Sequence, residues 1–228
     1  MSQRRHLITG AGSGIGNRVA RRLHERGDAL LLLARDEARG GELAAEFPGA
    51  AVVVGDLADP GSLAGIADRV EGPLDSLVHV AGVVDLATVA DVELGAWQHQ
   101  LDVNLTSPAL LTRELLPLLR TSRGTVVFVN STAGLTANPS WAAYAASKFG
   151  LRAVADALRA EERANGVAVT TVYPSRTATP MQEQVHAQEG RPYDASEWSD
   201  ADTVAATIVH VLDVPADSSI NEVTVRPR

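Results

Sequence analysis

The chain has 228 residues and a mass of 24.0 kDa, with 45% apolar residues, 21% charged residues and a formal net charge of -8. This composition is ordinary for a soluble globular protein, and the acidic balance argues against nucleic acid or an anionic membrane as a partner. The sequence contains no cysteine, which excludes disulfides, thiolate catalysis and cysteine metal sites.

The apolar runs are too short to span a bilayer, and only a few polar residues lie between Met1 and the first predicted strand. These features leave no room for a signal peptide and predict a cytoplasmic location. The spacing of the His, Asp and Glu residues does not indicate a metal site.

Short apolar runs, most of them without polar alternation, predict buried strands at 6–9, 29–33, 51–54, 77–80, 125–129, 167–172 and 222–225. Amphipathic segments between them, such as 16–26 and 63–70, are each long enough to form a crossover helix. The longest helical pattern covers 141–165 and ends at Gly166, a common helix stop. This alternation predicts one α/β domain over residues 1–228, a Rossmann-like doubly wound parallel sheet of about seven strands with helices on both faces. The segment 175–200 is the least regular, and we expect it to form a lid.

The first predicted strand is followed by the motif TGAGSGIG, Thr9 to Gly16, and then by a helical segment. Gly10, Gly14 and Gly16 permit a positive φ and a close approach of the backbone to a ligand. The N-terminus of the helix offers free N–H groups and a positive dipole end to a pyrophosphate. The motif, which also includes Ser13 and Ile15, therefore predicts a dinucleotide-binding turn, and a tight turn without a ligand is the alternative.

A second motif, YAASK, contains the only lysine of a chain that has nineteen arginines. Tyr144 and Lys148 stand at i and i+4 of the predicted helix, so their side chains project from one face. A positive charge about 4 Å from a phenol, at an effective dielectric near 20, favours the phenolate by roughly 4 kcal/mol, or about 3 pKa units. We therefore expect Lys148 to lower the pKa of Tyr144 toward neutral pH. A solvated pair on a helix surface is the alternative.

The glycine spacing Gly-x-x-x-Gly-x-Gly together with YAASK resembles the short-chain dehydrogenase/reductase family, over almost the whole chain. Ser131 in VNSTAG precedes Tyr144 by thirteen positions, which is the family's spacing, and LDVNL contains Asn104. The resemblance implies that Tyr144 protonates a substrate carbonyl oxygen and that Ser131 hydrogen-bonds this oxygen. It also implies that Lys148 binds the nicotinamide ribose and that Asn104 helps to hold a water relay.

The resemblance further implies cofactor contacts by residues that follow later strands, namely Asp56, Leu57, Ala81, Gly82, Pro174, Thr177 and Thr179. The sequence departs from the family pattern in two places. HVAG, which begins at His79, replaces Asn-Asn-Ala-Gly, and Ser175 replaces a glycine in the nicotinamide clamp YPSRTATP.

The end of the second predicted strand indicates which nicotinamide cofactor is preferred. Relatives place an acidic residue eighteen positions beyond Gly16, where this chain has Ala34, followed by Arg35. An acid there binds the ribose of NAD and repels a 2′-phosphate, whereas an arginine attracts the phosphate. We therefore expect NADP(H) to be preferred over NAD(H). Asp36 is a rival acid, but the sequence DEAR is typical of a helix N-cap and first turn.

The expected function is that of an NADP-dependent oxidoreductase, which transfers a hydride between nicotinamide and a small, mostly apolar carbonyl or alcohol substrate. The alternatives are a non-catalytic dinucleotide-binding redox sensor and a lyase or epimerase on the same scaffold. The family also implies a homodimer or homotetramer that pairs the helices equivalent to 101–120 and 141–165.

We expect the segments 83–89, 135–141 and 179–198 to line the substrate pocket. Arg191 could meet an acidic substrate, although a lone arginine in a polar loop is more often solvated. His186 and His210 are expected on helix surfaces rather than as ligands.

Overall fold

A parallel sheet with apolar side chains on both faces forms the centre of the computed structural model, which describes residues 3–228. The strands within this range are β1 (Arg5–Thr9), β2 (Ala29–Ala34), β3 (Ala51–Val54), β4 (Ser76–His79), β5 (Thr125–Val129), β6 (Ala168–Pro174), β7 (Thr177–Ala178), β8 (Ser199–Asp200) and β9 (Glu222–Val225). Seven of them form the main sheet in the order β3-β2-β1-β4-β5-β6-β9, and every neighbouring pair is parallel. The short strands β7 and β8 pair with each other.

Helices cover both faces of this sheet. Those of the described residues are α1 (Gly14–Glu25), α2 (Glu37–Glu46), α3 (Leu94–Leu101), α4 (Ser107–Ser122), α5 (Ala142–Glu162), α6 (Pro180–Gln188) and α7 (Ala201–Leu212). Buried side chains of α1, α2 and α7 pack on one face, and those of α4 and α5 pack on the other. Among the described residues, none of these helices is long and apolar enough to cross a membrane.

The two faces explain why the strands lack polar alternation. Leu7 and Ile8 are neighbours on β1, and both are fully buried, yet they belong to different apolar clusters on opposite sides of the sheet. Because successive strand residues point to opposite faces, a strand covered on both sides must be apolar throughout. The prediction of a single-domain, Rossmann-like α/β fold is thus confirmed.

One predicted helix is wrong. The segment 63–70 contains the end of a short 3₁₀ helix, Pro60–Leu63, and a second one, Ile66–Arg69. Gly65 separates them in the left-handed region, at φ 68°. Leu63 and Ile66 are buried under the sheet, so the amphipathic pattern reflects burial of these side chains without a continuous α-helix.

The strand order changes direction between β1 and β4, which lie side by side at the centre of the sheet. In a sheet of this kind a crevice opens at the carboxyl ends of the strands on either side of this point, and ligands bind there. The glycine motif follows β1, the HVAG motif spans the end of β4, and Ser131 follows β5. The topology therefore gathers the predicted motifs at one edge.

Candidate active site

The glycine turn after β1 is packed too tightly to accept larger residues. A Cβ atom on Gly10 would lie 2.8 Å from the backbone of Ala81, and one on Gly16 would lie 2.2 Å from the carbonyl oxygen of Gly10. Thr9 holds the turn against the next loop, because its Oγ1 accepts hydrogen bonds from the N–H groups of Val80 and Ala81 at 3.1 Å. The side chain of Thr9 is thus a structural member of the site that sequence reasoning missed.

The N-terminus of α1 has the properties of an anion site. Gly14 begins the helix at φ 51°, and the N-cap residue Ser13 makes no side-chain hydrogen bond to the first turn. The first N–H groups of the helix therefore stay available, and they lie at the positive end of its dipole. The residues of this turn fit a dinucleotide pyrophosphate.

The catalytic residues predicted on α5 and after β5 line one cavity together. Tyr144 is 7% exposed and Lys148 is 3% exposed, so neither belongs to a solvated surface pair. The Nζ atom of Lys148 lies 5.7 Å from the centre of the Tyr144 ring and donates a hydrogen bond to the carbonyl of Val129 at 3.1 Å. Ser131 lines the same cavity, so the structure brings the three side chains together.

The predicted lowering of the Tyr144 pKa is wrong for this structure. Burial raises the pKa of Tyr144 to about 12, and the neighbouring Ser131 hydroxyl opposes this rise only in part. Burial also lowers the pKa of Lys148 to about 8. The reason is that removal from water disfavours both charged forms, while the ammonium donates to the Val129 carbonyl and lies 5.7 Å from the centre of the phenol ring.

Asn104 lies behind the cavity wall rather than in it. It belongs to a single π-helical turn, Asp102–Thr106, that joins α3 to α4, and its side chain is fully buried. Its Oδ1 accepts from the Val83 N–H, and its Nδ2 donates to the Val83 carbonyl and to the Ser147 hydroxyl. The side chain of Asn104 therefore fixes the loop after β4 onto α5, and a π-helical turn of this kind is frequent at functional sites.

Asn130 is a second positioning residue that the sequence did not reveal. Its Nδ2 donates to the Lys148 carbonyl, and its Oδ1 accepts from the Ser131 N–H at 2.8 Å. One buried amide thus ties the end of β5 to α5 and fixes the distance between Ser131 and the helix that carries Tyr144. The only signal in the sequence is a polar residue at the end of an apolar strand.

His79, at the position of the first Asn in the family pattern, makes a different hydrogen bond. Its Nε2 lies 2.8 Å from the Thr112 hydroxyl, which itself donates to the Pro108 carbonyl. The imidazole stacks on Phe128, and burial lowers its pKa to about 3, with the nearby charge of Lys148 as a smaller cause. His79 is therefore a neutral core residue that links β4 to α4.

The clamp segment after β6 adopts ordinary backbone conformations despite the loss of its glycine. Within residues 3–228, the non-glycine residues with a positive φ are Arg123 and Ser140, so Ser175 does not need the conformational freedom of a glycine. The hydroxyl of Thr177 donates to the Ser175 carbonyl, and Thr179 caps α6. The Thr179 methyl lies 3.2 Å from the place of a Cβ on Gly14, so the clamp meets the glycine turn.

Most of the predicted cofactor residues line the same cavity: Gly10, Ser13, Gly14, Ile15, Gly16, Ala81, Gly82, Tyr144, Lys148, Pro174, Thr177 and Thr179. Arg35, Asp56 and Leu57 do not line it and lie just beyond the ends of β2 and β3. The side chain of Arg35 is 75% exposed and pairs with Asp36. Asp36 caps α2 through the Arg39 N–H, as predicted.

A second arginine lies near the glycine turn. The Nη2 of Arg39, on α2, donates to the carbonyl of Gly12 at 2.9 Å, and its guanidinium fills the space where a Cβ on Gly12 would lie. Arg39 also pairs with Glu42. Sequence reasoning placed Arg39 only in the first turn of a helix, because the approach of α2 to the turn is a tertiary contact.

The segment 175–200 is more regular than expected, since it contains α6 and the β7–β8 pair. Met181 and Val185 of α6 pack with Tyr144. At the far end of α6, Gln188 accepts from the Leu86 N–H and donates to Asp85, so the segment is tied to the loop after β4.

The pocket segments predicted from the sequence all contribute, through residues that include Val84, Trp141 and Val185. Arg191 and His210 are exposed, as expected. The surface position predicted for His186 is wrong, because its ring is 4% exposed and its Nδ1 lies 2.7 Å from the Pro192 carbonyl. The turn that follows α6 folds back over this face of the helix.

Comparison with known proteins agrees with this geometry. The short chain dehydrogenase family model matches residues 4–190. An uncharacterized oxidoreductase of Staphylococcus epidermidis is 30% identical over an alignment of 228 positions that covers 97% of this chain and 96% of that protein. Dehydrogenase/reductase SDR family member 7B of Bos taurus is 33% identical over an alignment of 201 positions that covers 82% of this chain and 62% of that protein.

Solved structures share the fold over nearly the whole chain. An alcohol dehydrogenase from the archaeon Thermococcus sibiricus, complexed with 5-hydroxy-NADP, has a TM-score of 0.86 at 22% identity and covers 99% of this chain and 97% of its own. A Beutenbergia cavernae protein whose structure holds NADP at low occupancy has a TM-score of 0.85 at 28% identity, with coverages of 97% and 94%. The chain therefore belongs to the short-chain dehydrogenase/reductase family of NAD(P)-dependent oxidoreductases.

Proposed function

We propose that this protein is an NADP-dependent oxidoreductase that transfers a hydride between nicotinamide and a small, mostly apolar carbonyl or alcohol substrate. The observation that carries the proposal is that the buried side chains of Tyr144 and Lys148 and the half-buried Ser131 line one cavity with the glycine turn after β1. The cofactor, when bound, supplies the hydride.

The residues of the chain hold and move the proton. Tyr144 is protonated at neutral pH, since burial keeps its pKa above that of free tyrosine, so it carries the proton that a carbonyl oxygen would accept. Ser131 lies beside it and supplies a second hydroxyl donor to the same oxygen. Lys148 places a buried positive charge next to the phenol, which favours the phenolate that forms when the proton leaves.

Lys148, Asn104 and Gly82 form one packed group behind the phenol. A Cβ on Gly82 would lie 3.1 Å from the Oδ1 of Asn104 and 3.7 Å from the Nζ of Lys148. We assign Lys148 to the nicotinamide ribose, and we assign Asn104 to the proton path through the position that it gives to the loop after β4. Thr177 and Thr179 are assigned to the nicotinamide side of the cavity.

The preference for NADP(H) is supported by charge at the end of β2. Ala34 leaves no carboxylate at that position, and Asp36 is engaged as the N-cap of α2. Arg35 is exposed, and Arg39 lies against the glycine turn, and we assign these two guanidinium groups to a 2′-phosphate. Asp56 and Leu57, after the neighbouring strand, are assigned to the adenine side.

The apolar character of the substrate is supported by the cavity wall around Tyr144. Val84, Ala133 and Val185 are buried against the phenol ring, with Trp141 and Met181 packed beside them. The segment 175–200 covers this wall, and we propose that it acts as a lid. Of the two alternatives, a redox sensor has no use for an intact buried proton donor, whereas a lyase or epimerase would retain it.

The proposal is tested by following the absorbance of reduced nicotinamide with purified protein over a panel of ketones, aldehydes and quinones. NADPH is expected to be consumed faster than NADH, and Tyr144→Phe is expected to lose at least about a hundredfold in kcat/KM, as for removal of a general acid. Consumption at equal rates by the wild type and the Phe variant would refute the proposed chemistry. NADPH binding without consumption over the whole panel would favour the sensor.

A further inference from the structure

Arg176 lines the cavity and carries a charge, but it has no role in the proposed reaction. Among the described residues that line the cavity, the charged ones are Lys148 and Arg176. Lys148 serves the phenol, whereas Arg176 follows β6 at a position between Ser175 and Thr177.

The contacts of Arg176 place its guanidinium at the substrate end. Its central carbon lies 5.9 Å from the centre of the Trp141 ring and 5.5 Å from that of Trp198. The Trp141 ring in turn lies 5.6 Å from the Tyr144 ring, edge to face. The guanidinium and the phenol therefore lie against the same indole in one cavity, which places Arg176 beside the space that would hold the rest of the substrate.

The charge of Arg176 is already balanced. Its two Nη atoms donate to the two oxygens of Glu189 at 2.9 and 2.6 Å, and the side chains are only 27% and 15% exposed. The guanidinium also holds the pKa of Glu189 below its usual range, so the pair stays ionised at neutral pH. A substrate carboxylate that binds Arg176 would have to approach next to the half-buried carboxylate of Glu189, and like charges in a partly dry site repel strongly.

Arg176 nevertheless keeps N–H groups for a ligand. A guanidinium has five N–H donors, Glu189 accepts from two of them, and the others have no protein acceptor within residues 3–228. Gln182 adds a further donor to the same cavity, because its buried Nε2 has no hydrogen-bond partner in this range. Buried donors without acceptors are costly, so this cavity is suited to a ligand that brings oxygen.

We propose that Arg176 is a specificity-determining residue that donates a hydrogen bond to a second oxygen of a neutral substrate, and that Glu189 excludes substrates with a carboxylate at this position. The inference rests on the proposed function and deepens it: the substrate class is a small carbonyl compound with a neighbouring keto or hydroxyl oxygen and no net charge.

The test compares three compounds of equal chain length: 2,3-hexanedione, 2-hexanone and 2-oxohexanoate. For the wild type, kcat/KM with NADPH is expected to be about tenfold higher for the diketone than for the other two, the effect of one hydrogen bond. Arg176→Met is expected to lower the ratio of kcat/KM for the diketone over 2-hexanone about tenfold, which removes the preference for the diketone. Glu189→Gln raises kcat/KM for 2-oxohexanoate about tenfold, a gain that misfolding cannot produce. Arg163→Met, an exposed arginine that does not line the cavity, serves as the control and is expected to change none of the ratios.

Binding of the same compounds to the protein with NADP⁺ is measured in parallel by the fluorescence of the tryptophans beside Arg176. The inference is overturned if Arg176→Met weakens the diketone and 2-hexanone equally, or if Glu189→Gln leaves discrimination against 2-oxohexanoate unchanged. If no compound is reduced but binding of the diketone still depends on Arg176, the proposed function fails while the assignment of Arg176 stands.

Discussion

His6 is the second residue of β1 and lies at the opposite end of this strand from the cavity. It is a buried histidine that makes the stability of the protein dependent on pH. Its ring is 1% exposed, its Nδ1 lies 2.7 Å from the Ser76 hydroxyl, and its Nε2 lies 3.3 Å from Asp28. Burial lowers its pKa from 6.5 to about 4, and the charges of Arg4 and Arg26 act in the same direction, against the attraction of Asp28.

The sign of the effect follows from proton binding. Between pH 6.5 and 4 the unfolded chain takes up a proton at His6 that the folded protein does not, so the free energy of unfolding falls as the pH falls through this window. The full difference is roughly 3 kcal/mol, of which about 2 kcal/mol is lost between pH 7 and pH 5. His6→Gln keeps a polar group and removes this contribution.

The assay is urea unfolding of both proteins at pH 7, 6 and 5, followed by far-UV circular dichroism. The wild type is expected to lose about 2 kcal/mol more than His6→Gln between pH 7 and pH 5. The other buried histidines, His79 and His186, are present in both proteins, so their contributions cancel in the comparison. His210→Gln, at an exposed position on α7, should keep the pH dependence of the wild type. Equal pH dependence in the wild type and His6→Gln would refute the reasoning.

Three further predictions concern the cavity. Gly16→Ala places a Cβ 2.2 Å from the Gly10 carbonyl oxygen, so the Kd for NADPH should rise at least about tenfold in a fluorescence titration. The control Gly41→Ala, whose new Cβ has no atom within 4 Å, should leave this Kd unchanged. Arg35→Asp should lower the ratio of kcat/KM for NADPH over NADH at least about tenfold, because a carboxylate repels the 2′-phosphate. An unchanged ratio would show that Arg35 does not bind this phosphate. The kcat/KM for carbonyl reduction should decline above about pH 8, where Lys148 loses its proton, and a pH profile that is flat to pH 10 would contradict this role.

Local patterns were enough to predict the fold and the site motifs. The strands are buried on both faces and therefore leave continuous apolar runs, and the glycine turn needs small residues where backbone meets backbone, as at Gly10 and Gly16. Tyr144 and Lys148 are four residues apart on one helix, so their proximity follows from helix geometry alone.

Features that depend on tertiary contacts could not be predicted in the same way. The segment 63–70 has a helical apolar pattern, but Gly65 breaks it in the left-handed region. The prediction for the pKa of Tyr144 considers charge alone, whereas burial of the phenol, which raises this pKa, depends on the packing of the whole cavity. Arg176 reaches the cavity only because two tryptophans and Glu189, from other parts of the chain, hold its guanidinium there.

Hydride transfer assisted by Tyr144 is tested most directly with NADPH that carries deuterium at both C4 positions. After incubation with a carbonyl substrate that the protein reduces, mass spectrometry of the alcohol is expected to show one deuterium on the carbinol carbon, with at least about a hundredfold less product from Tyr144→Phe. An alcohol without deuterium, or an equal yield from the Phe variant, would contradict the proposed reaction.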